Sequence, residues 1–271
     1  MKLIESKVEV IEQQPGLEGV YKQIELAGRT CYKSEDKITE DSAKEFVDRM
    51  IKSKHGAMLE HGTVYLSVPK EETEIIGFHG WCQYSKVRSD LVMEEPCNWL
   101  ITTNMRVLVE HDRLSDLKYI CEPTERHEKR ITARFICDMG VGRELTRHRT
   151  LSFAQESTRY CNYGKSKFGA ELTFIRPEWY KKTLENTHAG FERFLEEAQE
   201  IYIALLDQGY LAQEARQVLP LALKTEIVVT GFESDWDHFF ELRTAKSAHP
   251  DCVKLAMELK QKLIDNGYEF N

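Results

Sequence analysis

A mixed α and β fold is what the hydropathy pattern of this chain predicts, on three observations. Short stretches alternate polar and apolar residues with the period of two of a strand, longer ones repeat apolar residues at helical spacing, and the final third is mainly of the second kind. With 271 residues the chain can bury a substantial core, as one large domain or two small ones.

KVEVIE, Lys7 to Glu12, alternates and reads as a strand. From Asp41 the pattern turns helical. Ala43, Phe46, Val47, Met50 and Ile51 form an apolar stripe, Ser42 and Glu45 suit a capping box, and Gly56 is expected to end the helix. GTVYLSVP, Gly62 to Pro69, reads as a strand closed by proline. Between them HGAMLEHG joins helix to strand, where polar residues are well placed to meet a ligand. Within Lys70 to Lys129 the expectations are strands at Trp99 to Thr103 and Met105 to Glu110, and a short helix near Leu114 to Ile120. Long connections in compact domains tend to be functional, so this segment is expected to cover a pocket or line a subunit interface. ITARFIC, Ile131 to Cys137, alternates again, and GVGRELTRHR follows as a helix. Two further helices are marked by Phe191, Phe194, Leu195, Ala198, Ile201, Tyr202 and Leu205 before Gly209, and by Cys252, Leu255, Ala256, Leu259 and Leu263 before Asn266 and Gly267.

Composition narrows the function. Lys and Arg number 37 against 45 Asp and Glu, a formal charge of −8, whereas a dedicated nucleic-acid binder tends to be basic. Seven cysteines (Cys31, Cys82, Cys97, Cys121, Cys137, Cys161, Cys252) form no CxxC pair, so neither a disulfide framework nor a cysteine-rich zinc site is expected. The opening MKLIESKVEVIEQ lacks the apolar core of a signal peptide, and no run of about eighteen apolar residues occurs. A soluble cytoplasmic protein with reduced thiols is the expectation, with no membrane partner.

Positive charge is local. RHRTLSFAQESTRY, Arg147 to Tyr160, holds three arginines, a histidine and two serines, and each guanidinium offers a fork of donors that fits phosphate or carboxylate. The bland counterpart is a solvated basic turn paired to surface carboxylates. Two more arginines fall in apolar stripes: Arg216 in the phase of Ala212, Ala215 and Leu219, and Arg243 in that of Trp236, Phe239 and Phe240. An unpaired charge there would cost several kcal/mol, so an anion should reach each, either a ligand or an internal Glu or Asp; the other solution is a stem that snorkels to solvent. Ser157 with His148 as a hydrolase pair lacks a GxSxG elbow and an orienting carboxylate, and Cys161 reads as packing. His55, Glu60 and His61 lack the spacing of a helical zinc site, so no metal is expected. A rival reading from another class is a non-catalytic RNA- or nucleotide-binding module stacking bases on Tyr160, Tyr163 and Trp179. A phosphohydrolase would need a clustered Asp and His set that the chain does not display.

RHR followed by seven residues and Ser157 resembles the signature of the flavin-dependent thymidylate synthases. LAGRTCYKS, HGAMLEHGTVYLSV, EARQVLP and HFFELR fall in that family's order, so the resemblance covers most of the chain outside Lys70 to Lys129. It implies an α+β fold, an antiparallel sheet with a helical layer, as a single catalytic domain over 1–271 with a family-variable insertion at about 70–129. It also implies a homotetramer with flavin sites between subunits. The implied reaction is reductive methylation of deoxyuridine monophosphate (dUMP) to thymidylate. FAD is the implied cofactor, 5,10-methylenetetrahydrofolate the carbon donor and NADPH the reductant; no nucleic acid is required.

Residue by residue, Arg147, His148 and Arg149 resemble the flavin-contacting part of the motif, with His61, Thr63 and Gln155, and His238 falls near the isoalloxazine position. The nucleotide pocket is implied at Glu144, Arg147, Gln155, Glu156, Ser157, Thr158, Arg159, Arg216 and Arg243, with Arg159 and Arg216 on the phosphate and sugar. Arg243 is the implied catalytic group, a permanent cation favouring the ionised N3 and O4 edge of uracil. Two departures stand out. Ala154-Gln155 replaces the Asn-Glu of many relatives, keeping an acceptor but losing a charge, and Ala248 to Cys252 replaces the usual AQxEI.

Overall fold

The computed structural model describes residues 1–92, 95–164, 169 and 171–270. In chain order the strands are β1 (Lys2–Ile4), β2 (Lys7–Ile11), β3 (Thr63–Pro69), β4 (Lys86–Val92), β5 (Glu95–Asn104), β6 (Arg130–Asp138), β7 (Ser152–Gln155), β8 (Thr173–Ile175) and β9 (Lys224–Phe232). The helices are α1 (Gly16–Tyr32), α2 (Ser42–Lys52), α3 (Gly56–Leu59), α4 (Thr73–Trp81), α5 (Met105–Glu110), α6 (Met139–Leu145), α7 (Glu185–Asp207), α8 (Ala212–Ala215), α9 (Glu233–Arg243) and α10 (Pro250–Asp265).

Alternation in ITARFIC has the consequence its period requires: Ile131, Ala133, Phe135 and Cys137 of β6 face one side and Thr132 and Arg134 the other. β6 lies inside a four-stranded antiparallel sheet of order β2-β6-β9-β7. Its apolar side, with Ile227 and Val229 of β9, packs on α6, α9 and α10 through Trp236, Phe239, Phe240, Leu255 and Leu259. The opposite side meets α1, which also packs on the second sheet, β3-β5-β4. A third cluster gathers α7, β8 and the chain around Cys161 and Tyr163. The fold is therefore α+β with antiparallel sheets, and the central sheet carries helices on both faces rather than in one layer. β1 and β8 add a short parallel pair.

LAGRTCYKS is the end of α1, and packing accounts for much of it. A Cβ on Gly28 would lie 2.4 Å from the Phe46 ring of α2, so only glycine lets the two helices approach so closely. Arg29 is buried and pairs with Glu25 one turn back, at 2.9 Å.

Several expectations change. Met105 to Glu110 is a helix, α5, not a strand: Asn104 Oδ1 accepts the Val107 amide at 3.1 Å, capping a turn that buries Met105 and Leu108 three residues apart. Ser42 forms no capping box; its hydroxyl donates to Glu25 Oε2 at 2.8 Å instead. Gly56 begins α3, since α2 has already stopped at Lys52. On α7 only Leu195, Ala198 and Tyr202 are buried, a narrower stripe that leaves Phe194 and Ile201 half in solvent. Gly209 and Gly267 follow α7 and α10 with positive φ, as expected of helix stops. The Cys97 side chain lies outside the described residues; the other six cysteines carry free thiols. No described helix is long and apolar enough to cross a membrane.

Candidate active site

α6 and the turn after it deliver the arginine-rich motif to the end of the central sheet. Asp138 caps α6 by accepting the Val141 amide at 2.8 Å, and the helix stops at Leu145. His148, 7% exposed, then tucks against Phe239, while Arg147 and Arg149 point outward. Arg243, the last residue of α9, reaches across to this turn. It donates Nε to His148 Nε2 at 2.8 Å, Nη1 to Glu144 Oε2 at 2.5 Å and Nη2 to the Glu144 carbonyl at 2.8 Å. Burial, with Arg243 and His238 adding to it, pulls the His148 pKa down to about 4, so the ring is neutral and its acceptor nitrogen faces Arg243. The His238 ring centre is 6.2 Å from that of His148, with its own side chain exposed. Arg243 thus holds its stripe position by an internal carboxylate.

β7 carries the motif onward. Gln155 Nε2 donates to Thr225 Oγ1 at 3.2 Å, beside α6. Glu156 is buried and accepts from Lys224 at 2.8 Å and from the Tyr163 hydroxyl at 2.8 Å. Lys224 and Lys33 both donate to Glu226 at 2.6 Å, and Arg134 pairs with the same carboxylate. Burial opposes the charge on Glu226, but Lys224 and Lys33 outweigh it and hold its pKa at about 2. Ser157 donates its amide to the Cys31 carbonyl. Thr158 accepts from Arg216 Nη1 at 3.2 Å, and Arg159 lies over the Tyr160 ring.

Arg216 is exposed, contrary to its expected stripe position. α8 lasts only four residues and gives way to a 3₁₀ turn over Arg216–Val218, so the helical phase is lost after Ala215. His148 gives its Nε2 to Arg243 rather than to Ser157, which removes the base from a hydrolase pair. Tyr163 is 7% exposed and bonded to Glu156, so it offers no face for the stacking platform of the RNA-binding reading.

His61 and Thr63 lie inside. His61 is fully enclosed, its Nδ1 2.9 Å from Thr230 Oγ1, which in turn meets Thr132 Oγ1 at 2.9 Å. Burial lowers the His61 pKa to about 3, with Arg130 adding to it. Arg130 Nη1 donates to the Glu60 carbonyl at 2.9 Å and to Thr63 Oγ1 at 3.3 Å, while its Nε is buried without a partner. This guanidinium reaches a cavity of about 290 Å³ that also takes in Arg149, Leu151 and Phe232. The 70–129 segment builds the other wall with Tyr84, Arg106 and His111.

The structure therefore joins Glu144, His148, Arg243 and His238 in one group, Gln155 and Glu156 to Thr225 and Lys224 in a second, and Thr158 to Arg216 in a third. Sequence reasoning missed Lys33, Lys224, Glu226, Arg106, Arg130 and Tyr84. Lys224 and Glu226 show a faint trace as charges alternating into an apolar strand, and Lys33 falls inside LAGRTCYKS. Arg106 and Tyr84 leave no periodic signal.

The thymidylate synthase complementing protein family matches residues 127–265, just over half of the chain. The chain belongs to that family. The family match includes the Arg147 to Tyr160 motif, Arg216 and Arg243, and begins after the 290 Å³ cavity's outer wall. Among curated relatives, the flavin-dependent thymidylate synthase of Pyrococcus furiosus is 30% identical over 127 residues, 47% of this chain and 51% of its own. That of Geobacter sulfurreducens is 34% identical over 116 residues, 43% of this chain and 48% of its own. The chain spans about half the length of the curated relatives it matches. A solved UMP/dUMP methylase, PolB from Streptomyces cacaoi bound with 5-Br dUMP, aligns over 98% of this chain and 93% of its own, at 19% identity and a TM-score of 0.47.

Proposed function

We propose that this chain is a cytoplasmic, homotetrameric enzyme that methylates dUMP reductively to thymidylate, with 5,10-methylenetetrahydrofolate as carbon donor and NADPH as reductant through FAD. The observation that carries the reading is the fixed guanidinium of Arg243 within a family-matched site. Arginine has five N–H donors, and three of Arg243's are taken by His148 and Glu144. The two left over can meet O4 and N3 of a uracil ring. Being a permanent cation, Arg243 favours the ionised N3 edge without losing a proton. His148, neutral at working pH, holds that guanidinium in place without adding a competing charge.

The residues present fit a flavin dinucleotide: Arg149 and Arg130, the latter with its Nε buried and unpartnered, line one cavity, and guanidinium donors suit phosphate oxygens. Arg147, His148, Arg149, Gln155 and His238 would hold the cofactor, with His61 and Thr63 supporting the wall from behind. When bound, the flavin supplies hydride to the pyrimidine. Arg159 and Arg216 would take the phosphate and sugar end of dUMP, helped by Ser157 and Thr158, and Glu144, Arg147, Gln155 and Glu156 complete its surroundings. In this reading Gln155 orients the ligand through its amide, where a carboxylate would add charge.

Incubation with FAD, removal of unbound cofactor and a visible spectrum test the first half of the proposal; thymidylate formation from dUMP, the folate and NADPH tests the second. A folded protein that stays colourless would sink it.

A further inference from the structure

The 70–129 segment lies outside the family match for all but its last residues, yet it lines the same cavity as Arg149. Charge within that cavity is uneven. Arg106 is neutralised by Glu60 and by Glu110, the latter at 2.8 Å. Arg130 and Arg149 have no carboxylate within ion-pair distance among the described residues, and three arginines against Glu60 and Glu110 leave one positive charge in excess around about 290 Å³ of space. Its apolar lining comes from Leu151, Val107 and Phe232, and at the rim from Tyr84, which is 56% exposed.

Tyr84 is not on a loose loop. Its neighbour Ser85 is buried, with Oγ 2.9 Å from His79 Nδ1 and donating to Thr103 Oγ1 at 2.9 Å. That network ties the turn after α4 to β5, so the exposed ring is presented from a fixed backbone. A large aromatic held in water beside two arginines without an ion-pair partner among the described residues suits a ligand that carries both a planar ring and a phosphate.

We propose that this chain's own 70–129 segment forms half of the cofactor pocket, with Tyr84 stacking on the adenine of FAD while Arg130 and Arg149 hold its phosphates. The inference rests on the flavin reading above. It follows from placement: the isoalloxazine end is expected near His148 and His238, and the cavity lies past Arg149 on the way to β7. Its volume suits one nucleotide rather than a whole dinucleotide. Tyr84 would then discriminate FAD from FMN, which lacks the adenylate half.

Titration of the apoprotein with FAD and with FMN, followed by flavin fluorescence, tests this without any turnover. Tyr84→Ala is expected to weaken FAD binding by about fivefold or more, the low end of base–aromatic stacking, and to leave FMN binding unchanged. Tyr84→Phe keeps the ring and should bind FAD as the parent does. Because Tyr84 is exposed, the unfolding midpoint of both variants should match the parent. Equal FAD affinity in Tyr84→Ala, or an equal loss for FMN, overturns the assignment while leaving the flavin reading in place. A parent protein that is folded and takes no FAD removes both, and does so before any substitution is made.

Discussion

Arg243 and Arg216 entered as the same kind of residue, a cation in an apolar stripe, and the structure separates them. Arg243 is at the end of an eleven-residue helix whose phase holds to its last turn, so its side chain reaches Glu144 and His148. Arg216 follows a helix of four residues, and periodicity says nothing once the helix has ended. The position of Arg243 was therefore legible in the sequence; its partners, 95 and 99 residues away, were not. Arg243→Ala should bind FAD like the parent and lose turnover by about 100-fold, the scale of removing one donor from an anion-stabilising site. Comparing a flavin titration with kcat for the variant checks this; undiminished kcat would take Arg243 out of the mechanism.

Long periodic elements such as α2 and α10 were readable, because burial of one face imposes spacing that composition cannot hide. α5 was not. MRVLVE alternates superficially, and what decides its conformation is the Asn104 cap preceding it. β7 was hidden as well, a four-residue strand within a motif whose polar residues follow ligand chemistry rather than a pleat. Since Arg106 meets both Glu60 and Glu110 from a helix, the latter one turn on, the cap shapes the cavity wall too. Asn104→Ala should cost about 1 kcal/mol of stability. Urea unfolding measures it, and no loss would mean that the Met105 backbone bond to the Gly62 carbonyl, 2.9 Å long, suffices to seat α5.

At the scale of the molecule, the central sheet has one apolar face and one that buries His61, Thr230 and Glu226, with Arg134 half-buried beside Glu226. Strand order, and the pairing of 131 with 231 or 135 with 227, is a long-range matter on which local periodicity is silent. The antiparallel arrangement was legible only through the family resemblance. Buried neutral histidines give the fold an acid weakness. His61 and His148 have folded pKa values of about 3 and about 4 against an ordinary 6.5, so the unfolded chain takes up protons first as the pH falls. Their contribution is complete above 6.5 and is lost as pH falls through the folded values, about 2 kcal/mol from each by about pH 5. Glu226 adds a second loss between 4.5 and about 2. Urea unfolding at about pH 7 and about pH 5 should show the first loss, to which buried His79, its pKa also lowered by burial, adds, and His61→Asn should reduce it; a pH-independent midpoint would contradict the burial of these rings.

Gly28, where α1 and α2 touch, bears on how a survey of tolerated substitutions would read. Any side chain there must push the Phe46 ring aside, so variants should vanish from a functional selection as completely as those of Arg243. A map of intolerance would mark both as equal. Heat distinguishes them: one class of variant melts early, the other stays folded and idle.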